Sequence, residues 1–339
     1  MTVSFVIPHS NRRELLESAL DSIARLRRPA GVRVEVIVVD NGSRDGSADA
    51  AQARGARVLS FPARLGVSRA LNVGIQAAEG EWIALLNNDV EPAEDWLERL
   101  LDAAQQTGAW FATGKTLNLA RPEEIDGAGD AVCRGGAAWR LGSGRPDSPL
   151  FGRRRRTFFP SATAALFRRE FFDRVGLFEE AFFAYLEDVD LGLRAGLAEL
   201  PGLYVPEAAA YHRGSATVGG WSPAMVEWMT SHQLLLLAKH YPARLLWRYA
   251  RPIVAAQLLW AALAISRGRG IAWLRGLGAA LRRAPSIRGG SAALRASALR
   301  LPQVLAEAEG EIFRFQRDTG WDGFWKWYFL LAPPAQEAA

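Results

Sequence analysis

Chemistry in this chain is concentrated where apolar runs stop abruptly at carboxylates and carboxamides. The run Trp82-Ile-Ala-Leu-Leu86 breaks into Asn87-Asn88-Asp89. A carboxylate delivered to the end of a strand is suited to holding a divalent ion over a diphosphate. Asn and Asp also favour turns for local backbone reasons, so the triplet alone does not decide between the two. Further on, Phe182-Phe-Ala-Tyr-Leu186 leads into Glu187-Asp188-Val189-Asp190, three carboxylates within four residues. In the first turn of a helix such acids compensate the helix dipole. Set among apolar side chains, they instead gain the raised pKa that a general base needs. Asp40, in Val38-Val-Asp-Asn-Gly-Ser43, is suited to accept hydrogen bonds from a base or a ribose, or to close a tight turn with its neighbours. His212 follows the strand-like Leu203-Tyr-Val205. A lone histidine is more often structural, yet neutral imidazole is also a common metal ligand.

The elements that must position these groups alternate in type. Val3-Ser-Phe-Val-Ile7 and Val34-Glu-Val-Ile-Val-Val39 read as strands, the second ending in the continuous apolar run of a strand buried on both faces. Asn11-Arg-Arg-Glu14 has a capping-box pattern ahead of Leu15, Leu16, Ala19, Leu20 and Ile23 at helical spacing. Val67, Ala70, Leu71, Gly74, Ile75 and Ala78 form a second stripe, and Trp96, Leu97, Leu100, Leu101 and Ala104 a third. This alternation predicts a doubly wound α/β sheet, whose ligands gather at the carboxyl ends of its strands. Residues 116–160 are rich in Gly, Pro and Arg without periodicity, and long loops are expected there, ending at Arg153-Arg-Arg-Arg156. Those arginines read as a solvated charge run or as contacts to phosphates. Order is expected again from Ser161 to Phe167, in a helix near Arg169–Val175, in a strand at Leu203–Val205, and helically from Pro223 onward.

Composition narrows the class. With 339 residues, 49% hydrophobic and 23% charged, the chain is long and apolar enough for a sizeable core. The single cysteine, Cys133, excludes an internal disulfide framework and suits a reducing compartment. Met1 runs straight into a strand with no basic segment and apolar stretch behind it, so no secretory leader is expected and the active part is expected in the cytosol. The net charge of +5 is unevenly spread. Residues 241–300 hold 11 arginines and no Asp, Glu or Lys, so the remainder carries −6.

The first strand-end turn, Pro8-His-Ser-Asn11, lacks the glycine cluster of a dinucleotide fold, and no Gly-Lys-Ser/Thr loop occurs. Dehydrogenases and P-loop enzymes are thereby disfavoured. The ordered set Val6-Ile-Pro8, Asn11, Val38-Val-Asp-Asn-Gly-Ser43, Gly66 with Asn72, Leu86-Asn-Asn-Asp89 and Tyr185-Leu-Glu-Asp-Val-Asp190 resembles the family 2 glycosyltransferases, with Ile125-Asp-Gly-Ala-Gly-Asp130 a further likeness. The similarity covers roughly residues 2–240 and is nearest to bacterial rhamnosyltransferase-like members that build cell-surface polysaccharide. It implies a GT-A fold: a mixed, Rossmann-like sheet with a nucleotide-sugar-binding half at 1–115, an acceptor and catalytic half at 116–240, and a C-terminal helical extension. It also implies an inverting, metal-dependent transfer of a sugar from a nucleoside diphosphate to a glycan or lipid-linked glycan. By that resemblance Asp188 is the general base. Asp89 and His212 bind Mg²⁺ or Mn²⁺, and Pro8, Asn11, Asp40, Asn41, Asn72 and Asn88 border the nucleotide sugar. Asn87, Glu187 and Asp190 support them. The family's acid-rich Asp-x-Asp element is here Asn87-Asn88-Asp89, which leaves a single carboxylate for the ion. A catalytically silent nucleotide-sugar-binding scaffold is the competing reading. The absence of a Gln-x-x-Arg-Trp motif disfavours a processive synthase.

The region 241–339 is expected to be helical, basic and aromatic-rich. Ile253–Ile265 is apolar apart from Gln257 but spans only 13 residues, against about 20 for a membrane-crossing helix. Flanking arginines and Trp247, Trp260 and Trp273 suit a segment lying on a membrane surface. A peripheral position on the inner face of the plasma membrane is therefore expected, and no nucleic-acid partner. The aromatic tail from Trp321 to Phe329 has a second reading, as packing among helices.

Overall fold

The computed structural model describes residues 1–214, 220–287 and 291–334, those at 291–298 by backbone only. In chain order its elements begin β1 (Thr2–His9), α1 (Arg13–Ala24), β2 (Arg33–Asn41), α2 (Ser47–Ala53), β3 (Arg57–Phe61), α3 (Val67–Ala77), β4 (Trp82–Leu86), β5 (Val90–Pro92) and α4 (Trp96–Thr107). They continue as β6 (Phe111–Asn118), β7 (Glu124–Gly127), β8 (Asp130–Val132), β9 (Ala138–Arg140), β10 (Arg145–Pro146), β11 (Arg155–Thr157), β12 (Ala164–Arg168), α5 (Arg169–Val175), α6 (Glu187–Leu197) and β13 (Gly202–His212). The C-terminal helices are α7 (Pro223–His240), α8 (Ala243–Arg248), α9 (Ala250–Ser266), α10 (Gly270–Ile287), α11 (Ser291–Thr319) and α12 (Gly323–Leu331). Two compact units result: Met1–Gly129 with Gly142–Thr217, and Asp130–Leu141 with Val218–Ala339.

The first unit is built on an eleven-stranded mixed sheet whose main path runs β10-β7-β6-β12-β4-β1-β2-β3. Strands β4, β1, β2 and β3 are mutually parallel, while β12 enters antiparallel between β4 and β6. Both faces of the parallel part are covered, as its apolar runs require. Phe5, Ile7, Val38, Ala84 and Leu86 pack with Leu16, Leu20 and Ile23 of α1 and Leu97, Leu100 and Leu101 of α4. Val6, Ile37, Val39, Ile83 and Leu85 pack with Ala70, Leu71 and Ile75 of α3, Phe171 and Phe172 of α5 and Leu191 of α6. The expected doubly wound α/β sheet is thus present, as a Rossmann-like parallel core within a larger mixed sheet.

Two expectations need correction. Asn11 does not cap α1: the N-cap is Arg12, with φ 66° and no side-chain cap bond, and Asn11 Oδ1 instead accepts from Arg44 N–H at 3.1 Å. The carboxamide braces the loop beyond β2 rather than the helix it precedes. Residues 116–160 are not simply loops either. They carry the end of β6 and the short strands β7 to β11, none longer than four residues, too short to display a period of two.

Among the described residues the regular structure of the second unit is helical apart from the β8–β9 hairpin. Its α7, α9 and α10 share a core of Val226, Trp260, Ala264 and Ala272, against which Trp221 and Trp273 pack. Trp260 is buried, stacks on Trp221 at 5.7 Å and donates to Thr230 Oγ1 at 2.8 Å. Trp260 and Trp273 are therefore packing residues rather than interfacial ones, and Trp247 alone of the three is widely exposed, at 82%. In the tail, Trp325, Tyr328 and Phe329 are buried and Trp327 is not. Among the described residues no helix is long and apolar enough to cross a membrane. Residues 288–290 and 335–339 of the expected 241–339 region lie outside the described residues.

Candidate active site

Parallel pairing sets β1, β2 and β4 with their carboxyl ends on one edge, His9 opposite Asp40. Pro8 precedes His9 at that edge. Asp40 is buried and accepts Ser43 N–H at 3.0 Å through Oδ1. Its second oxygen has no protein partner among the described residues. The tight-turn role and a free acceptor thus coexist in one carboxylate. Asn88 Nδ2 lies 2.8 Å from His9 Nδ1, which assigns the imidazole proton to Nε2, a buried atom with no partner. Burial holds the His9 pKa down at about 4 even though Asp45 and Asp40 pull the other way. His9 was not singled out from sequence. Its adjacency to Pro8 was the available signal, and only the strand register reveals that it faces the Asn87-Asn88-Asp89 turn.

Asp89 meets His212, brought to it by β13, whose last residue pairs with Val90 of β5. His212 Nε2 is 3.2 Å from Asp89 Oδ1, and Nδ1 is 2.8 Å from Asp126 Oδ2. Both Asp89 and His212 are buried. Burial opposes the charge on the ring, but hydrogen bonds and attraction from Asp126 and Asp89 prevail and push its pKa up to about 9. In the sequence Asp126 stands out only as part of the Ile125–Asp130 motif. Its role follows from β7 pairing with β6 and β6 with β13, which sequence spacing does not reveal.

The three acids of α6 divide by environment. Asp190 is fully buried and ion-paired with Arg194 at 2.9 Å, and Glu187 is buried. Asp188 is the partly exposed one, with Oδ1 accepting Val189 N–H at 2.8 Å. Tyr185 and Leu186 take left-handed backbone angles (φ 69° and 66°), so the chain turns sharply into the helix. Such conformations in non-glycine residues cost energy that neighbouring contacts must offset. Those contacts come from α3. Val67 N–H donates to Phe183 O at 2.7 Å and Ser68 Oγ to Phe182 O. Asn72 accepts from Phe178 N–H at 2.8 Å and donates to Phe178 O at 2.9 Å.

A ring of contacts joins these pieces. Asn88 touches His9, which pairs with Asp40 across the β1–β2 register. Asn41 Nδ2 donates to Gly66 O at 3.4 Å and its Oδ1 accepts Leu65 N–H. Gly66, at φ +88°, lies so close to Phe183 that an added Cβ would stand 2.6 Å from its ring. Phe183 leads into Glu187–Asp190. On α6, a Cβ on Gly192 would stand 2.5 Å from the Phe159 ring. The chain from Phe159 runs through buried Ser161 to Thr163, whose carbonyl accepts Asn87 N–H at 2.9 Å and so returns to the starting turn. Asn41 and Asn72 serve this ring through carboxamides engaged by backbone groups. Asn88 and Asp40 make these contacts, Asp89 follows Asn88, and Asp188 lies in the segment between Phe183 and Gly192. Arg154, by contrast, pairs with Glu207, and Arg155 covers the Tyr204 ring at 4.0 Å. Trp139 packs 6.3 Å from Trp325 in the second unit. A cavity of about 420 Å³ lined by Leu20, Arg28, Val34 and Arg54 contains none of the site residues.

Residues 4–176 match the model of "Glycosyl transferase family 2". The chain belongs to the family 2 glycosyltransferases. It is 33% identical over 215 residues to an N-acetylglucosaminyl-diphospho-decaprenol L-rhamnosyltransferase of Mycobacterium tuberculosis, covering 55% of this chain and 68% of that one. It is 31% identical over 229 residues to an O-antigen biosynthesis protein of Myxococcus xanthus, covering 63% of this chain but only 17% of the relative. Among solved structures, GalNAc-T7 with UDP, GalNAc and Mn²⁺ is similar, with a TM-score of 0.59 at 18% identity over 79% of this chain. The transferase spans about half that structure's length, 54% of it. The fold is thus of the GT-A kind.

A resident divalent ion is implied by this family, and the donor set can be tested against it. Asp89 supplies a carboxylate, and His212 would supply an imidazole once an arriving ion displaces the proton from its Nε2, with Asp126 orienting the ring as carboxylates orient ligating histidines elsewhere. Among the described residues no group of three or more His, Cys, Asp or Glu could hold an ion by themselves. The residues therefore fit an ion shared with a ligand that brings its own oxygens, as Mg²⁺ and Mn²⁺ sites on diphosphates do.

Proposed function

We propose that the transferase moves one sugar, with inversion, from a nucleoside-diphosphate sugar to a glycan or lipid-linked glycan acceptor in cell-surface polysaccharide synthesis. The observation that carries this reading is the Asp89–His212–Asp126 chain of contacts on the same strand edge as Asp40, Asn88 and His9. Asp40 and Asn88, with His9, Pro8 and Asn11 beside them, would hold the nucleoside. Asp89 and His212 would hold Mg²⁺ or Mn²⁺, which when bound neutralises charge on the leaving diphosphate. Asp188 takes the proton from the acceptor hydroxyl, and the freed oxygen lone pair forms the bond to the anomeric carbon. The bond from that carbon to the phosphate oxygen breaks with its electron pair, leaving as nucleoside diphosphate. Asn87, Glu187 and Asp190 support the turn and the helix that carry these groups.

The rhamnosyltransferase relative suggests a deoxyhexose donor, and a lipid-linked acceptor fits a second unit that exposes Trp247, Val254, Leu258 and Ile265 beside arginines. That unit would rest on the inner face of the plasma membrane. A thermal-shift panel of nucleotide sugars, with and without Mn²⁺, tests the reading. One donor should raise the melting temperature and do so more strongly with the ion. Equal, ion-independent behaviour across the panel would oppose it.

A further inference from the structure

The second unit contains a cavity of about 490 Å³ that the transferase chemistry does not use. Its lining includes Arg134, Arg248, Arg251, Tyr249, Pro252 and Pro302. The three guanidiniums differ in their surroundings. Arg134 is largely buried, and Glu309 accepts from its Nε at 2.5 Å. Its Nη2 donates to Pro333 O at 2.5 Å. Glu309 is held in turn by Tyr328 Oη at 2.5 Å. This charge is balanced and its geometry fixed. Arg248 and Arg251 have no carboxylate within reach among the described residues, and Arg248 rests over the Tyr249 ring at 5.6 Å. Residues 241–300 contain no acid that could neutralise them.

Two unpaired forks at one cavity, with a third locked in its wall, form a net positive recess over apolar surface. Arg248 and Arg251 are exposed, and guanidinium groups bind phosphate oxygens in pairs of parallel hydrogen bonds. We infer that this recess is a binding site for a phosphate or diphosphate group, with Arg248 and Arg251 as its ligating residues. The phosphate could belong to a lipid headgroup or to a free anion, and the chemistry of recognition is shared. The site needs nothing from the transferase centre.

The experiment uses the full chain at fixed ionic strength in two arms. Inorganic pyrophosphate is titrated by calorimetry, and vesicles of phosphatidylcholine with and without phosphatidic acid are tested by flotation. The doubly substituted Arg248→Gln/Arg251→Gln protein is compared with Arg275→Gln/Arg282→Gln, which removes the same charge from exposed positions outside the cavity. Binding in at least one arm should fall about tenfold or more in the first protein and less than about twofold in the second. Response to pyrophosphate identifies a free anion, and response only to phosphatidic acid a headgroup. Should the double variant unfold, Arg251→Gln alone is read in the same titrations. Absence of binding in both arms, or equal loss in both variants, overturns the site.

Discussion

His212 stands between two carboxylates, with Nε2 3.2 Å from Asp89 and Nδ1 2.8 Å from Asp126. The arrangement joins the turn after β4 to the distal strands β7 and β13, and it makes Asp126 a positioning residue for the imidazole. Asp126→Asn should keep the fold and weaken Mn²⁺ binding in the presence of nucleoside diphosphate by about 10- to 100-fold. Titration followed by Mn²⁺ paramagnetic resonance measures this directly. Unchanged affinity would mean that His212 is oriented without Asp126.

Asp188→Asn removes the proposed proton acceptor at the partly exposed position of α6. Turnover should fall by about 10²- to 10⁴-fold while donor affinity changes little. Donor binding by calorimetry together with nucleoside-diphosphate release distinguishes this from a silent scaffold, in which the parent chain would already lack turnover.

His9 gives a pH dependence whose sign is set by burial. Its folded pKa is about 4, below the ordinary 6.5. Between those values the unfolded chain binds the proton and the folded one does not. This contribution to stability is present above pH 6.5 and is lost as pH falls toward 4, on the order of 3 kcal/mol in all. His9→Asn, which retains an acceptor near the Nδ1 position, should flatten that limb in urea melts from pH 7 to pH 4. An identical pH slope in the two proteins would contradict a buried neutral imidazole.

Much of the parallel core was legible because β1, β2 and β4 are buried on both faces and so read as apolar runs, and because α1, α3 and α4 each bury one stripe. Asn11 misled because a side chain that looks like a cap found a better partner in Arg44, 33 residues away. The short strands of 124–157 left no pattern, since neighbours in the sheet rather than their own residues set their geometry. At the proposed site, Asp40, Asp89 and His212 draw notice by residue type near strand ends and Asp188 by its acid cluster at a helix start, while the roles proposed for them come from the family resemblance. His9 and Asp126 do not draw notice in this way, because their roles arise from pairings 79 and 86 residues apart. Trp260 looked interfacial, but aromatic composition does not say which face of a helix is covered.

Gly66 joins β2 to the approach of α6. Alanine there must adopt φ +88° and place its Cβ 2.6 Å from the Phe183 ring and 2.8 Å from its carbonyl oxygen. Gly66→Ala should cost about 1–3 kcal/mol in stability. It should also depress turnover beyond the loss of folded protein, because the segment that carries Asp188 shifts. Urea denaturation and activity per folded molecule check the two parts separately.

The most direct test of the transferase account is a crystal structure of the chain with Mn²⁺ and a non-hydrolysable donor analogue. The account predicts an anomalous peak shared by Asp89, His212 and the diphosphate, with the Asp188 carboxylate roughly 6 Å from the anomeric carbon on the face opposite the phosphate. An ion bound away from Asp89, or Asp188 walled off from the sugar, would contradict it.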